Sequence, residues 1–121
     1  MSALFYQILH IFGVLMVFVA LGGLTLQAVS GSTPDARTRK FAAMFHGLGL
    51  VIVLVSGFGL LAKLGIPGFP LWVWLKVGIW LLVGGLIALI RRMPQYATLF
   101  WFSLPILGGL AATIALYKIG G

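Results

Sequence analysis

Three side chains stand where they could do chemistry inside otherwise apolar stretches: His10, His46 and Lys76. Lys76 is the single charge in the run Pro70–Ile90. A charge within a membrane-length apolar run is costly and rare, and it tends to mark function. On a helix, Trp72, Lys76 and Trp80 share one face, so the amine sits between two indoles. Imidazole and amine are both nitrogen bases, suited to ligating a metal, taking a proton or bonding the polar edge of a ligand. Other chemistries are excluded by what is missing. Without cysteine there is no disulfide, zinc–thiolate or iron–sulfur centre carried by this chain. The only acid, Asp35, falls in a loop, so no Ser-His-Asp set forms within the apolar segments. Transport coupled to protons or cations usually needs a membrane carboxylate and is disfavoured on the same ground. Met16, Met44 and Met93 are too scattered for a copper–thioether site. Enzyme chemistry would therefore be redox chemistry performed by a cofactor.

The elements that position these residues follow from composition. Of 121 residues, 62% are hydrophobic and 7% charged, where a soluble domain carries about 25% charged residues. Such a chain cannot clothe a water-facing surface, which makes it an integral membrane protein. Eight Lys and Arg against one acid give +7. These cations mostly flank apolar runs, the pattern of membrane topology and not of a nucleic-acid groove. Four runs have the roughly 20 apolar residues that cross a core of about 30 Å. They cover roughly 4–29, 41–64, 70–90 and 97–117. The first has no basic leader and is longer than a signal-peptide core, so it is expected to be a retained helix. The polar loop Ser30–Lys40, the turn Gly65–Pro70 and the connection Arg91–Tyr96 are short. Short connections predict antiparallel neighbours, hence one all-α domain over 1–121, an up-down bundle of four transmembrane helices.

Pro105 predicts a kink in the fourth helix. Arg37, Arg39, Lys40, Arg91 and Arg92 occupy the first and third loops, against Lys63 and Lys118 on the other side. That bias predicts loops one and three in the cytoplasm and both termini outside. Glycines at 22–23, 47, 49, 57, 59, 84–85 and 108–109 suit close helix packing or clearance for a flat ligand.

His10 and Lys76 each lie about six residues into their spans from the outer side, roughly 9 Å deep. Spans one and three run parallel and are expected to sit diagonally, so the two bases face each other at matching depth. A flat metal-bearing ring between them, haem above all, would take one axial ligand from each wall, or a ligand from His10 and a contact from Lys76. Lysine ligates only as the neutral amine, which burial favours. Trp72 and Trp80 would wall the ring. His46 sits near the opposite leaflet, roughly 15 Å away along the normal, too far to share one iron. It suits a second site, a bond to a porphyrin carboxylate or a bond to a carbonyl. Plainer readings stand beside these. His10 would be a helix–helix hydrogen-bond partner, and Lys76 would snorkel to the interface or rest on an indole face.

Two motifs carry a family resemblance. The first span reads Gln7–Gly13 with His10 at its centre, and the third reads Trp74–Val77 with Lys76. These resemble the HemJ-type protoporphyrinogen IX oxidases and their CopD-like and SirB-like relatives among small membrane proteins. The resemblance implies a small helical membrane fold in a bacterial cytoplasmic membrane and a b-type haem associated with His10 and Lys76. It further implies oxidation of protoporphyrinogen IX, a porphyrin substrate, with electrons passed to the quinone pool or another carrier. Those oxidases are usually longer, and they tend to carry an arginine where this chain has Leu24–Val29. The alternative from another class is a non-enzymatic accessory subunit of a respiratory or photosynthetic membrane complex, packing through small-residue faces against partners or further copies of itself.

Overall fold

The computed structural model describes residues 2–66 and 68–117. Lys118, counted above for orientation, and Pro67 of the turn lie outside the described residues. Four long helices follow in order: α1 (Ala3–Val29), α2 (Ala36–Leu64), α3 (Leu71–Arg92) and α4 (Ala97–Tyr117), with a 3-10 turn at Pro94–Tyr96 leading into α4. No strand occurs among the described residues. All four helices are long and apolar enough to cross a membrane. Their outward faces agree: Leu4, Ile8, Ile11, Leu15 and Val19 form an exposed apolar stripe along α1. In water that stripe would be a large liability, whereas against lipid tails it needs no cover.

Helix ends are set by local chemistry. Ser2 Oγ accepts the Phe5 N–H at the start of α1. Asp35 accepts the Thr38 N–H at 2.8 Å and starts α2. α2 therefore begins five residues before the apolar run that marks the second span, and Arg37, Arg39 and Lys40 belong to its first turns rather than to a loop. Hydropathy reports how far a segment is greasy; the cap decides where the helix begins. The Thr38 amide holds the Asp35 carboxyl below its ordinary pKa, so the cap stays charged at neutral pH and is lost only on strong acidification. Gly65 closes α2 in the left-handed conformation at φ 67°. α4 runs unbroken through Pro105, leaving the Trp101 carbonyl without its intrahelical donor.

α1 is the hub. It packs most closely along α2, less along α4, and also approaches α3. The expected diagonal separation of the first and third helices is not what forms: α2 and α4 are the pair that stay apart. The reason is where the small residues lie. At the α1–α2 crossing, a Cβ added to Gly49 would stand 2.9 Å from the Gly13 carbonyl oxygen, and one added to Gly13 would stand 3.0 Å from that of Gly49. Only hydrogen side chains allow this approach. Val17, Leu21 and Leu24 of α1 then meet Val83, Leu86 and Ile90 of α3 and Phe100 and Leu104 of α4 in one buried cluster. That cluster fills the half of the bundle near the basic loops.

The other half, toward the chain termini, is looser, because α2 and α3 approach each other least among sequence neighbours. The accessible surface of 7424 Å² exceeds the roughly 6,300 Å² of a compact soluble protein of this mass. Gly49→Ala is expected to cost about 1–3 kcal/mol through forced separation of α1 and α2. Gly47→Ala, with nothing within 4 Å of the added Cβ, should be neutral. Thermal unfolding of the two variants in one detergent checks the contrast.

Candidate functional site

A half-open space lies between α2 and α3. It holds about 160 Å³ of room, or about 960 Å³ when the open space at its mouth is counted. Leu50, Leu54, Gly57, Phe58 and Leu61 of α2 form one wall, and Trp72, Lys76, Val77, Trp80 and Val83 of α3 the other. His10 and Phe18 of α1 and Leu107 and Ala111 of α4 complete the lining. The fold thus brings His10, Lys76, Trp72 and Trp80 to one space. Among the described residues, Lys76 is the only formally charged one in the lining.

His10 is held by α2. Its Nδ1 lies 3.0 Å from the Val53 carbonyl oxygen and 3.0 Å from Ser56 Oγ. Ser56 Oγ has the Ile52 and Val53 carbonyls as acceptors for its own proton, which leaves its oxygen able to accept from the imidazole. The Val53 carbonyl can only accept, and its bond to the imidazole therefore assigns the proton to Nδ1. In the neutral ring Nε2 is left with a bare lone pair. The ring fits because α2 has Gly57 beside it, where an added Cβ would meet His10 Cε1 at 3.4 Å. Orientation of an imidazole by a carbonyl bonded to its other nitrogen is the arrangement found around histidines that ligate metals. The same bond ties α1 to α2 as a plain helix–helix hydrogen bond.

Lys76, by contrast, has no hydrogen-bond or charge partner among the described residues. Trp80 donates its indole N–H to the Leu50 carbonyl at 3.0 Å, so it is a wall fastened to α2. Trp72 is half-buried and carries no such tether among the described residues. Trp74, the tryptophan beside Lys76 in the motif, points outward and is 58% exposed. It stacks edge-on to Phe69, which in turn meets Phe58 of the cavity wall, at 5.2 and 5.6 Å.

His46 lies elsewhere. It is 4% exposed and donates from Nε2 to the Val83 carbonyl at 3.2 Å. It is absent from the cavity lining. Together the His46–Val83 and Trp80–Leu50 bonds pin α2 to α3 at mid-bundle and toward the basic loops. Beyond them, toward the termini, the two helices part and the cavity opens.

Ser56 escaped the sequence reading. A signal was available: it sits eight residues from the end of α2 as His10 sits seven from the start of α1, and antiparallel neighbours place such positions level. Among the described residues no group of three or more His, Cys, Asp or Glu could hold a bare metal ion. Compared with family models, with curated proteins and with solved structures, the chain matches none.

If the two tethers hold the α2–α3 pair, Trp80→Phe and His46→Ala should each destabilise the folded protein modestly. The expected cost is on the order of 0.6 kcal/mol per bond, the mean for side-chain hydrogen bonds inside membranes. Chemical or thermal unfolding of the single and double variants tests whether the two losses add.

Proposed function

We propose that this chain is a multi-pass membrane protein whose α2–α3 cavity holds a b-type haem, with His10 as an axial ligand. The observation that carries the reading is the His10 network: Nδ1–H is committed to Val53 and Ser56, and the lone pair of Nε2 is left for a metal, in an apolar cavity walled by indoles. The residues present fit the group. A porphyrin brings four equatorial nitrogens of its own, so one imidazole suffices where a bare ion would need a cluster. The lining is almost wholly apolar, with aromatic faces at Trp72 and Trp80. When bound, the haem supplies one-electron redox chemistry.

This chain's residues orient the imidazole, exclude water and present one amine. Of the two roles expected for Lys76, contact with the ligand's polar edge suits it better than iron ligation. Ligation demands the neutral amine, whereas haem carries two propionates and the cavity has no acid of its own. The cluster Arg37, Arg39, Lys40, Arg91 and Arg92 supports an orientation with that end in the cytoplasm. The motifs around His10 and Lys76 make protoporphyrinogen IX the substrate to assay first.

An oxidised and a dithionite-reduced optical spectrum of the purified protein, with haem added back, tests the reading. A Soret band that sharpens on reduction and a distinct α-band are expected. His10→Ala should abolish them and His46→Gln should leave them nearly unchanged. Lys76→Met should weaken haem retention with the bands in place; shifted bands would instead make Lys76 the second axial ligand. A folded, colourless protein that rejects added haem would overturn the proposal and favour an accessory subunit.

A further inference from the structure

We infer that the cavity selects apolar molecules ending in a carboxylate, which Lys76 receives as its missing counter-ion. The inference uses the cavity of the haem reading but not the iron. Lys76 stands five residues into α3, within reach of the cavity mouth by its four-carbon stem. No described residue is hydrogen-bonded to it or brings it a negative charge. The chain's one carboxylate side chain, Asp35, is at the far end of α2 and is engaged by Thr38. An ammonium in an apolar lining is expensive unless paired, and among the described residues nothing supplies a negative charge for the pair.

The rest of the lining states what the ligand looks like behind its anionic end. Leu50, Leu54, Leu61, Val77 and Trp80 offer apolar contact and no further charge. His10 adds a single acceptor through Nε2. The shared chemistry is therefore a long or flat hydrocarbon body with a terminal carboxylate. Two sources meet it: a long-chain fatty acid from the bilayer and a porphyrin through its propionates.

Haem-free protein in a non-ionic detergent tests this. Quenching of tryptophan fluorescence is titrated with a dibrominated long-chain fatty acid and with its methyl ester. A second pair is an iron-free dicarboxylate porphyrin and its dimethyl ester. The acid-to-ester ratio of affinities is compared between proteins, which cancels partition into micelles. The wild type should favour the acid by about tenfold or more over the ratio seen with Lys76→Met, the size expected of one desolvated charge pair. Lys76→Arg, which keeps the charge, should retain the preference. A preference for the fatty acid alone assigns the bilayer source, and one for the porphyrin alone assigns the tetrapyrrole source; either supports the pairing. Equal ratios in wild type and Lys76→Met for both ligand pairs would overturn it. Because no iron is present, a protein that rejects added haem yet still prefers acids defeats the haem reading alone.

Discussion

The contact on which the molecule turns is the crossing of α1 and α2 at Gly13 and Gly49. Two backbones come so close there that neither position tolerates a Cβ without a shift of its neighbour. In lipid there is no hydrophobic drive between helices, so packing of this kind and hydrogen bonds must supply the association. The crossing brings the first half of α1 against the second half of α2. Only then does the His10 ring reach the Val53 carbonyl and Ser56. It also holds α2 to α1 along the half where α2 and α3 part.

That division leaves one half of the bundle tightly packed and the other open. Near the basic loops, large aliphatic side chains from α1, α3 and α4 interlock into a buried cluster. Toward the termini the same helices are spread, leaving a space lined by apolar side chains, one imidazole and one amine. His46 and Trp80 mark the boundary, each spending its ring N–H on a carbonyl of the facing helix. The two histidines thus differ in place. Each is anchored by one ring nitrogen to a carbonyl of a neighbouring helix, but His10 lines the cavity and His46 does not.

Much of this was legible in the residues. Four apolar runs announced four helices, and the spacing of Trp72, Lys76 and Trp80 put them on one face, as the cavity lining has them. The depth match placed His10 and Lys76 at one level. Boundaries were less legible: α2 begins at Ala36 because Asp35 caps it, a local hydrogen bond that hydropathy does not register. The partner of His10 was hidden because a carbonyl carries no residue signature, and Ser56 is a common residue in an apolar helix.

By itself the sequence determined the class of environment, the number of helices and the scarcity of charge that makes Lys76 conspicuous. These are properties of composition and periodicity, which each residue contributes independently of the others. Tertiary structure decided which helices touch, which histidine faces the cavity, and where the interior stays open. Those outcomes depend on the relative placement of small residues on different helices. Gly13 meeting Gly49, and Gly57 standing beside His10, are relations between segments, and no single stretch of chain contains them.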